Sequence, residues 1–284
     1  MKRVATKFTR RQFLAGGSLA LAGAVTASTA YLVLKDESQD LVVEHVTLPI
    51  KGLAPSMDGF KIAQLSDFHI YPYTKPPLLE ESVAIANALN PDLTVLTGDY
   101  VWHDLEAIYE LAPILAGLNA KHGLYAIMGN HDLWTDVDVI KDAFNESGVP
   151  YLINQGVTIT EGKGNLHLAG LDDGWSGEPD LQAAMEGAQE DAPVVLLMHE
   201  PDLADDYSLD PRMSLQLSGH AHGGQIRFPS VGALVLPYLG RKYDYQLYKV
   251  NDMWLYSNPG IGVTNEPLRI NCPPEITEIT LVRA

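Results

Sequence analysis

Five apolar runs in this 284-residue chain stop at residue types that bind metals or move protons. FKIAQLS ends in Asp67-Phe68-His69, DLTVLTG in Asp99, GLYAIMG in Asn130-His131-Asp132, VVLLM in His199, and SLQLSG in His220-Ala221-His222. A buried strand that ends abruptly in Asp, Asn or His projects those groups into the loop beyond its carboxyl end, where open α/β sheets bind ligands. Imidazole, carboxylate and amide oxygen without any thiolate suit Mn, Fe or Zn better than a purely hard calcium cage does. Asp67 and His69 are two residues apart, as are His220 and His222. In extended backbone each pair points to one face and can chelate one ion. Taken singly, D-x-H and Gly-Asp are ordinary loop and turn sequences. Their joint occurrence in the order D-x-H, G-D, G-N-H-D, H, G-H-x-H is the informative feature.

Something must hold these strand ends together. Helical patterns cover 78–90, 105–118, 137–146 and 181–188, with Pro113 expected to interrupt or restart the second. LVVEHVTLPI (41–50) reads as an edge strand and NLHLAGLDD (165–173) as a further strand. From Ala233 onward the runs ALVLP, YQLYKV, MWLYS and EITEITLV make the tail rich in strands. Strands alternating with helices predict α/β layering, here as two sheets packed face to face with helices outside. One catalytic domain over 41–284 is the expectation.

The balance of 36 acids against 19 bases sets a net charge of −17, and five of the bases lie in the first eleven residues. Without those five, 36 acids face 14 bases. Such a surface repels nucleic-acid backbones and anionic lipid headgroups, so no nucleic-acid groove is expected, whereas a small anionic substrate is admissible where bound cations reverse the local sign. Cys272 is the sole cysteine, which excludes an intramolecular disulfide and a multi-thiolate zinc site.

Residues 1–12 carry no acid, and 13–34 carry no charge at all, the order of an export signal. Thr9-Arg10-Arg11-Gln12-Phe13-Leu14 resembles the twin-arginine consensus. Residues 1–34 therefore read as a twin-arginine signal peptide, with Ser28-Thr29-Ala30 suited to cleavage, or as an N-terminal membrane anchor. Either reading places the domain outside the cytoplasm, in the periplasm or cell envelope, with the twin-arginine export machinery as a partner.

The ordered motif set over about 60–230, with GHAHGGQIRFP (219–229) and LRINCPPEIT (268–277), resembles the bacterial twin-arginine-exported branch of the calcineurin-like metallophosphoesterase superfamily. The resemblance implies a four-layer αββα sandwich of two mixed β-sheets flanked by helices. It implies two divalent metal ions, the first held by Asp67, His69, Asp99 and His222, the second by Asp99, Asn130, His199 and His220. His131 would face the substrate as an acid or oxygen-polarising group, and Asp132 would orient it. Two ions about 3.5–4 Å apart generate hydroxide at neutral pH and clamp the phosphoryl oxygens. Phosphodiester hydrolysis of a small substrate by a monomer is the expected activity. A pyrophosphate hydrolase acting on a UDP-diacylglucosamine-type lipid precursor and a non-catalytic, metal-stabilised envelope binding module are the alternatives. Trp102 stands where purple acid phosphatases have a metal-binding Tyr, which disfavours a tyrosinate-iron centre. Gln225 and Arg227 are candidates for contact with the phosphate, and Asp172-Asp173-Gly174 reads as a turn.

Overall fold

The computed structural model describes residues 35–265 and 267–284, so the expected signal or anchor at 1–34 lies outside the described residues. Among those described, no helix is long and apolar enough to cross a membrane.

Two mixed sheets carry the fold. In the first, β1 (Val42–Ile50), β13 (Glu275–Arg283), β2 (Phe60–Leu65), β3 (Leu93–Leu96) and β4 (Leu124–Ala126) lie side by side in that order. Strands β2, β3 and β4 run parallel, β13 runs antiparallel to β2, and β1 is the edge strand expected from its mixed pattern. The second sheet has the order β11 (Gln246–Val250), β12 (Met253–Ser257), β8 (Met213–Ser218), β7 (Val194–Leu197), β6 (Gly164–Gly170), β5 (Gln155–Glu161). Here β12, β8, β7 and β6 are parallel.

Strands buried on both faces are apolar throughout, and the period of two divides their side chains between layers. In β7, Val195 and Leu197 join the core between the sheets, while Val194 and Leu196 face the opposite side. Ile62 and Val95 of the first sheet pack in that same central core with Leu168 and Leu217 of the second. Gln64 is a polar exception within it. Its amide donates to Thr97 Oγ1 at 3.1 Å and to the Ser218 carbonyl at 2.9 Å, which ties β2 to β8 directly beneath the strand ends of interest.

Helices Pro76–Ala88, Ile108–Leu115 and Val137–Ser147 cover the outer face of the first sheet. The four-layer arrangement holds, although the layer over the second sheet is thin. The pattern at 181–188 forms one turn, Leu181–Ala184, and a second turn spans Ala204–Tyr207. Pro113 does not break its helix. The discontinuity falls earlier, where a 3₁₀ turn at Leu105–Ala107 passes into Ile108–Leu115. Burial of Ile108, Leu111, Ala112 and Leu115 outweighs the one hydrogen bond the proline forgoes. Two further expectations are corrected. Strand β5 was not foreseen, because half-exposed QGVTITE lacks a strong apolar face. ALVLP contributes only Ala233 to a two-stranded ribbon of β9 (Arg227–Phe228) and β10 (Gly232–Ala233), and Leu234 and Val235 after it are exposed.

Candidate metal centre

All five motifs meet above the carboxyl ends of the parallel strands. The loops leaving β2 and β3 remain zipped together: Asp67 N–H donates to the Gly98 carbonyl at 2.9 Å, and Phe68 N–H to that of Asp99 at 2.8 Å. The second sheet is stitched on by His220 N–H, which donates to both Asp67 carboxylate oxygens at 3.0 and 3.1 Å.

Extended backbone is not how the ligand pairs are presented. Asp67, His69, Asp99, His220 and His222 have φ of 51°, 41°, 59°, 69° and 52°, all in the left-handed region that non-glycine residues avoid. Such conformations persist where surrounding structure over-determines them, commonly at functional sites. One consequence is that His220 and His222 separate. His222 Nε2 lies 3.1 Å from Asp67 Oδ1 and 3.0 Å from His69 Nε2, whereas His220 Nδ1 lies 2.8 Å from Asn130 Oδ1.

One compact donor group results, and a looser one lies beside it. Asp67, His69, Asp99 and His222 are buried, with one ligand atom from each lying within 4.8 Å of the others. On the far side of Asp99, His199 Nε2 is 3.2 Å from Asp99 Oδ2, the same oxygen that lies 3.5 Å from His69 Nε2. Asp99 thus reaches both groups.

Tautomers decide what these atoms offer. His199 Nδ1 is 2.6 Å from the Thr97 carbonyl, His69 Nδ1 3.3 Å from that of Val101, and His220 Nε2 2.7 Å from that of Tyr238. A carbonyl only accepts, so each of those nitrogens carries a hydrogen and the opposite nitrogen of a neutral ring keeps a lone pair. At His199 burial lowers the pKa but the Asp99 carboxylate raises it well above the ordinary imidazole value, so without a metal a proton takes that place. Backbone carbonyls holding imidazoles in this way are a usual outer shell of metal-binding histidines. His199 Nε2 is buried without a hydrogen-bond partner, and it faces a carboxylate oxygen. Lone pairs of four imidazoles, two carboxylates and an amide oxygen converging in one buried place repel each other unless metal cations or protons lie between them. The donor chemistry therefore fits borderline divalent ions.

Burial raises the Asp99 carboxyl, but the His199 and His131 imidazoles overcome it and hold the group well below the usual carboxylate range. Burial likewise raises Asp67, yet His222 brings it down to about 2. Both are anions at neutral pH.

His131 belongs to neither donor group. Its backbone N–H donates to Asp99 Oδ1 at 2.9 Å, and its ring packs 4.3 Å from Trp102 and 4.8 Å from Trp134. The imidazole lines a cavity of about 710 Å³, and burial holds its pKa below the ordinary imidazole value. Asp132 does not perform the orienting duty expected of it. Its two oxygens accept backbone N–H groups of Gly129 at 2.9 Å, Asp99 at 2.9 Å and Tyr100 at 2.8 Å, so it fastens the backbone that carries Asp99 and starts the helix Asn130–Thr135. Burial pushes its own pKa up to about 8, with Asp99 acting in the same direction.

Gln225 lines the cavity, its amide oxygen taking the Thr264 N–H at 2.7 Å. Arg227 does not line it. Its guanidinium binds Asp244 at 2.6 Å and the Gly223 carbonyl at 2.7 Å and stacks on Tyr245. The Asp173 turn is as read, with Oδ2 accepting the N–H groups of Trp175 and Ser176 at 3.1 and 2.6 Å. Sequence reasoning assigned no role to Phe228, Leu234, Val235 or Leu236, which wall the cavity. The available signal was an uncharged stretch, 228–240, in a strongly acidic chain.

Residues 60–224 match the family model of the calcineurin-like phosphoesterases. The chain belongs to that family. YkuE, an uncharacterized metallophosphoesterase of Bacillus subtilis (strain 168), is 36% identical over 285 residues, 97% of this chain and 98% of YkuE. Phosphodiesterase YaeI of Escherichia coli (strain K12) is 31% identical over 78% of this chain and 82% of its own length. A transmembrane protein with a metallophosphoesterase domain from Danio rerio is 31% identical over 93% of this chain, which spans only 62% of that longer protein. Calcineurin-like phosphoesterases use divalent metals, and the buried cluster of Asp67, His69, Asp99 and His222 is compatible with one.

One backbone position carries much of this geometry. Gly98 has φ of 99°, and a Cβ there would stand 2.7 Å from both Gly129 N and His199 Nδ1. Gly98→Ala is expected to lower folding stability by about 2–4 kcal/mol in chemical denaturation, combining left-handed strain with overpacking. It should also weaken metal binding in titration calorimetry, because His199 has to move.

Proposed function

We propose that this calcineurin-like phosphoesterase is a phosphodiesterase that works with two divalent ions, Mn, Fe or Zn, outside the cytoplasm after twin-arginine export. The observation that carries the reading is Asp99, whose Oδ2 lies within 3.5 Å of ligand nitrogens from both donor groups. Asp67, His69 and His222 would complete the first ion's shell, and Asn130, His199 and His220 the second's. Bound there, the ions supply Lewis-acid charge on the phosphoryl group and make water acidic enough to attack near neutral pH.

The chain's own residues divide the remaining work. Carbonyls of Thr97, Val101 and Tyr238 keep the imidazole lone pairs aimed inward. His131, on the cavity wall and outside both donor groups, would polarise a phosphoryl oxygen or protonate the leaving group; the burial that holds its pKa below the ordinary imidazole value favours the first role. Trp102 and Trp134 pack against that imidazole and keep it in place. Room for a second ester substituent supports diesters over monoesters, since the cavity of about 710 Å³ extends well past the donors to an apolar wall. The export signal lies in 1–34 and supports an extracytoplasmic setting.

Protein loaded with Mn²⁺ is expected to hydrolyse bis-p-nitrophenyl phosphate faster than p-nitrophenyl phosphate. His131→Ala should keep its full metal content by mass spectrometry while turnover falls about 10²–10⁴-fold, the usual worth of a positioned acid or oxygen-polarising group. Loss of metal together with activity would move His131 into a ligand shell. A wild type inert toward both esters with every divalent ion would overturn the proposed function.

A further inference from the structure

Exposed apolar side chains are concentrated at one place on this protein. Among the described residues, twelve large hydrophobic side chains are exposed, and seven of them, Trp134, Trp175, Phe228, Val231, Leu234, Val235 and Tyr238, belong to the cavity mouth or the loop beside it. Leu234 and Val235 are 69% and 80% exposed, and Val231 is 68% exposed. Scattered surface hydrophobics are ordinary, but a patch of them around one opening marks an interaction site.

The loop has the composition of a bilayer-seated element. Residues 228–240 contain no charge, in a chain with 36 acids and 19 bases. Basic Arg241 and Lys242 follow directly and are exposed, Lys242 pairing with Asp205 at 2.6 Å, while Trp134, Trp175 and Tyr238 form a border of amphipathic rings in which Trp175 touches the other two at 4.8 and 5.5 Å. Exposed aliphatic side chains with Trp and Tyr at the boundary match the acyl region and interfacial belt of a phospholipid membrane. A second copy of the chain fits less well, because two strongly acidic molecules joined through this loop would close each other's cavities.

We infer that the 228–240 loop seats the protein on a phospholipid bilayer, with the mouth of the metal-centre cavity at the membrane surface. The uncharged segment 13–34 brings the chain to a membrane in either sequence reading, so the experiment has to separate loop seating from tethering. Full-length protein is mixed with vesicles of acyl-brominated phosphatidylcholine, and tryptophan fluorescence is recorded. Bromine quenches only indoles that approach the acyl chains, so a tether at the N-terminus alone leaves Trp134 and Trp175 bright.

The expected result is quenching of the wild type and its loss in Leu234→Asp/Val235→Asp, with Leu234→Ile/Val235→Ile quenched as the wild type is. Val231→Asp, outside the cavity, should also reduce quenching, and circular dichroism confirms that each variant is folded. An unquenched wild type overturns the inference, as does quenching that persists in the Asp variants. Sedimentation showing a dimer that Leu234→Asp dissociates overturns it as well, in favour of contact between copies. None of these readouts depends on turnover, so they stand apart from the phosphodiesterase assay.

Discussion

Asp99→Asn is expected to abolish activity, with turnover on bis-p-nitrophenyl phosphate at least about 10³-fold below wild type. Asparagine preserves the shape and one oxygen, so the packing of Gly129 and the hydrogen bond from His131 N–H at 2.9 Å can survive. What disappears is the negative charge shared between His69 Nε2 at 3.5 Å and His199 Nε2 at 3.2 Å. Holding two cations close together requires an anion between them, and among the described residues no other carboxylate reaches both groups in this way. Mass spectrometry of the purified variant should therefore find less metal per chain than in wild type, with a normal circular dichroism spectrum. A variant that retains both its metal and its rate would remove Asp99 from the shared position.

The second large effect comes from a residue that touches no ligand atom. Arg269 is fully buried, and its guanidinium donates to the carbonyls of Pro259, Gly260, Gly262 and Cys272. These carbonyls belong to a loop that abuts Asp67: Gly262 N–H donates to the Asp67 carbonyl at 2.7 Å and Ile261 N–H to that of Ser66 at 2.9 Å. Arg269→Met fills most of the space but leaves several buried carbonyls without donors, each at a cost of about 1–3 kcal/mol. The expected loss is about 3–5 kcal/mol in chemical denaturation, a large share of the stability of an ordinary domain. Arg269→Lys should recover only part of it, since a point charge cannot reproduce the planar fork. An Arg269→Met protein as stable as wild type would show that the loop stands without its brace.

What the sequence determined by itself was chemical identity. Asp67, His69, Asp99, Asn130, His131, His199, His220 and His222 were legible because strand-end position and residue type are local properties, and so were most strands and the covering helices, whose periodicity is local too. Half-exposed β5 was illegible because an edge strand has little apolar signal. The tertiary structure decided the rest. It split His220 from His222 through left-handed backbone, which no spacing rule encodes, and it gave Asp132 to the backbone of Asp99 and not to the His131 ring. It threaded β13 between β1 and β2 and brought Arg269 beneath Asp67's neighbours. It also drew Trp134, Trp175 and the 228–240 loop around one opening. Each of these depends on contacts between segments far apart in the chain, and residue type carries no information about such distances until the two sheets pack.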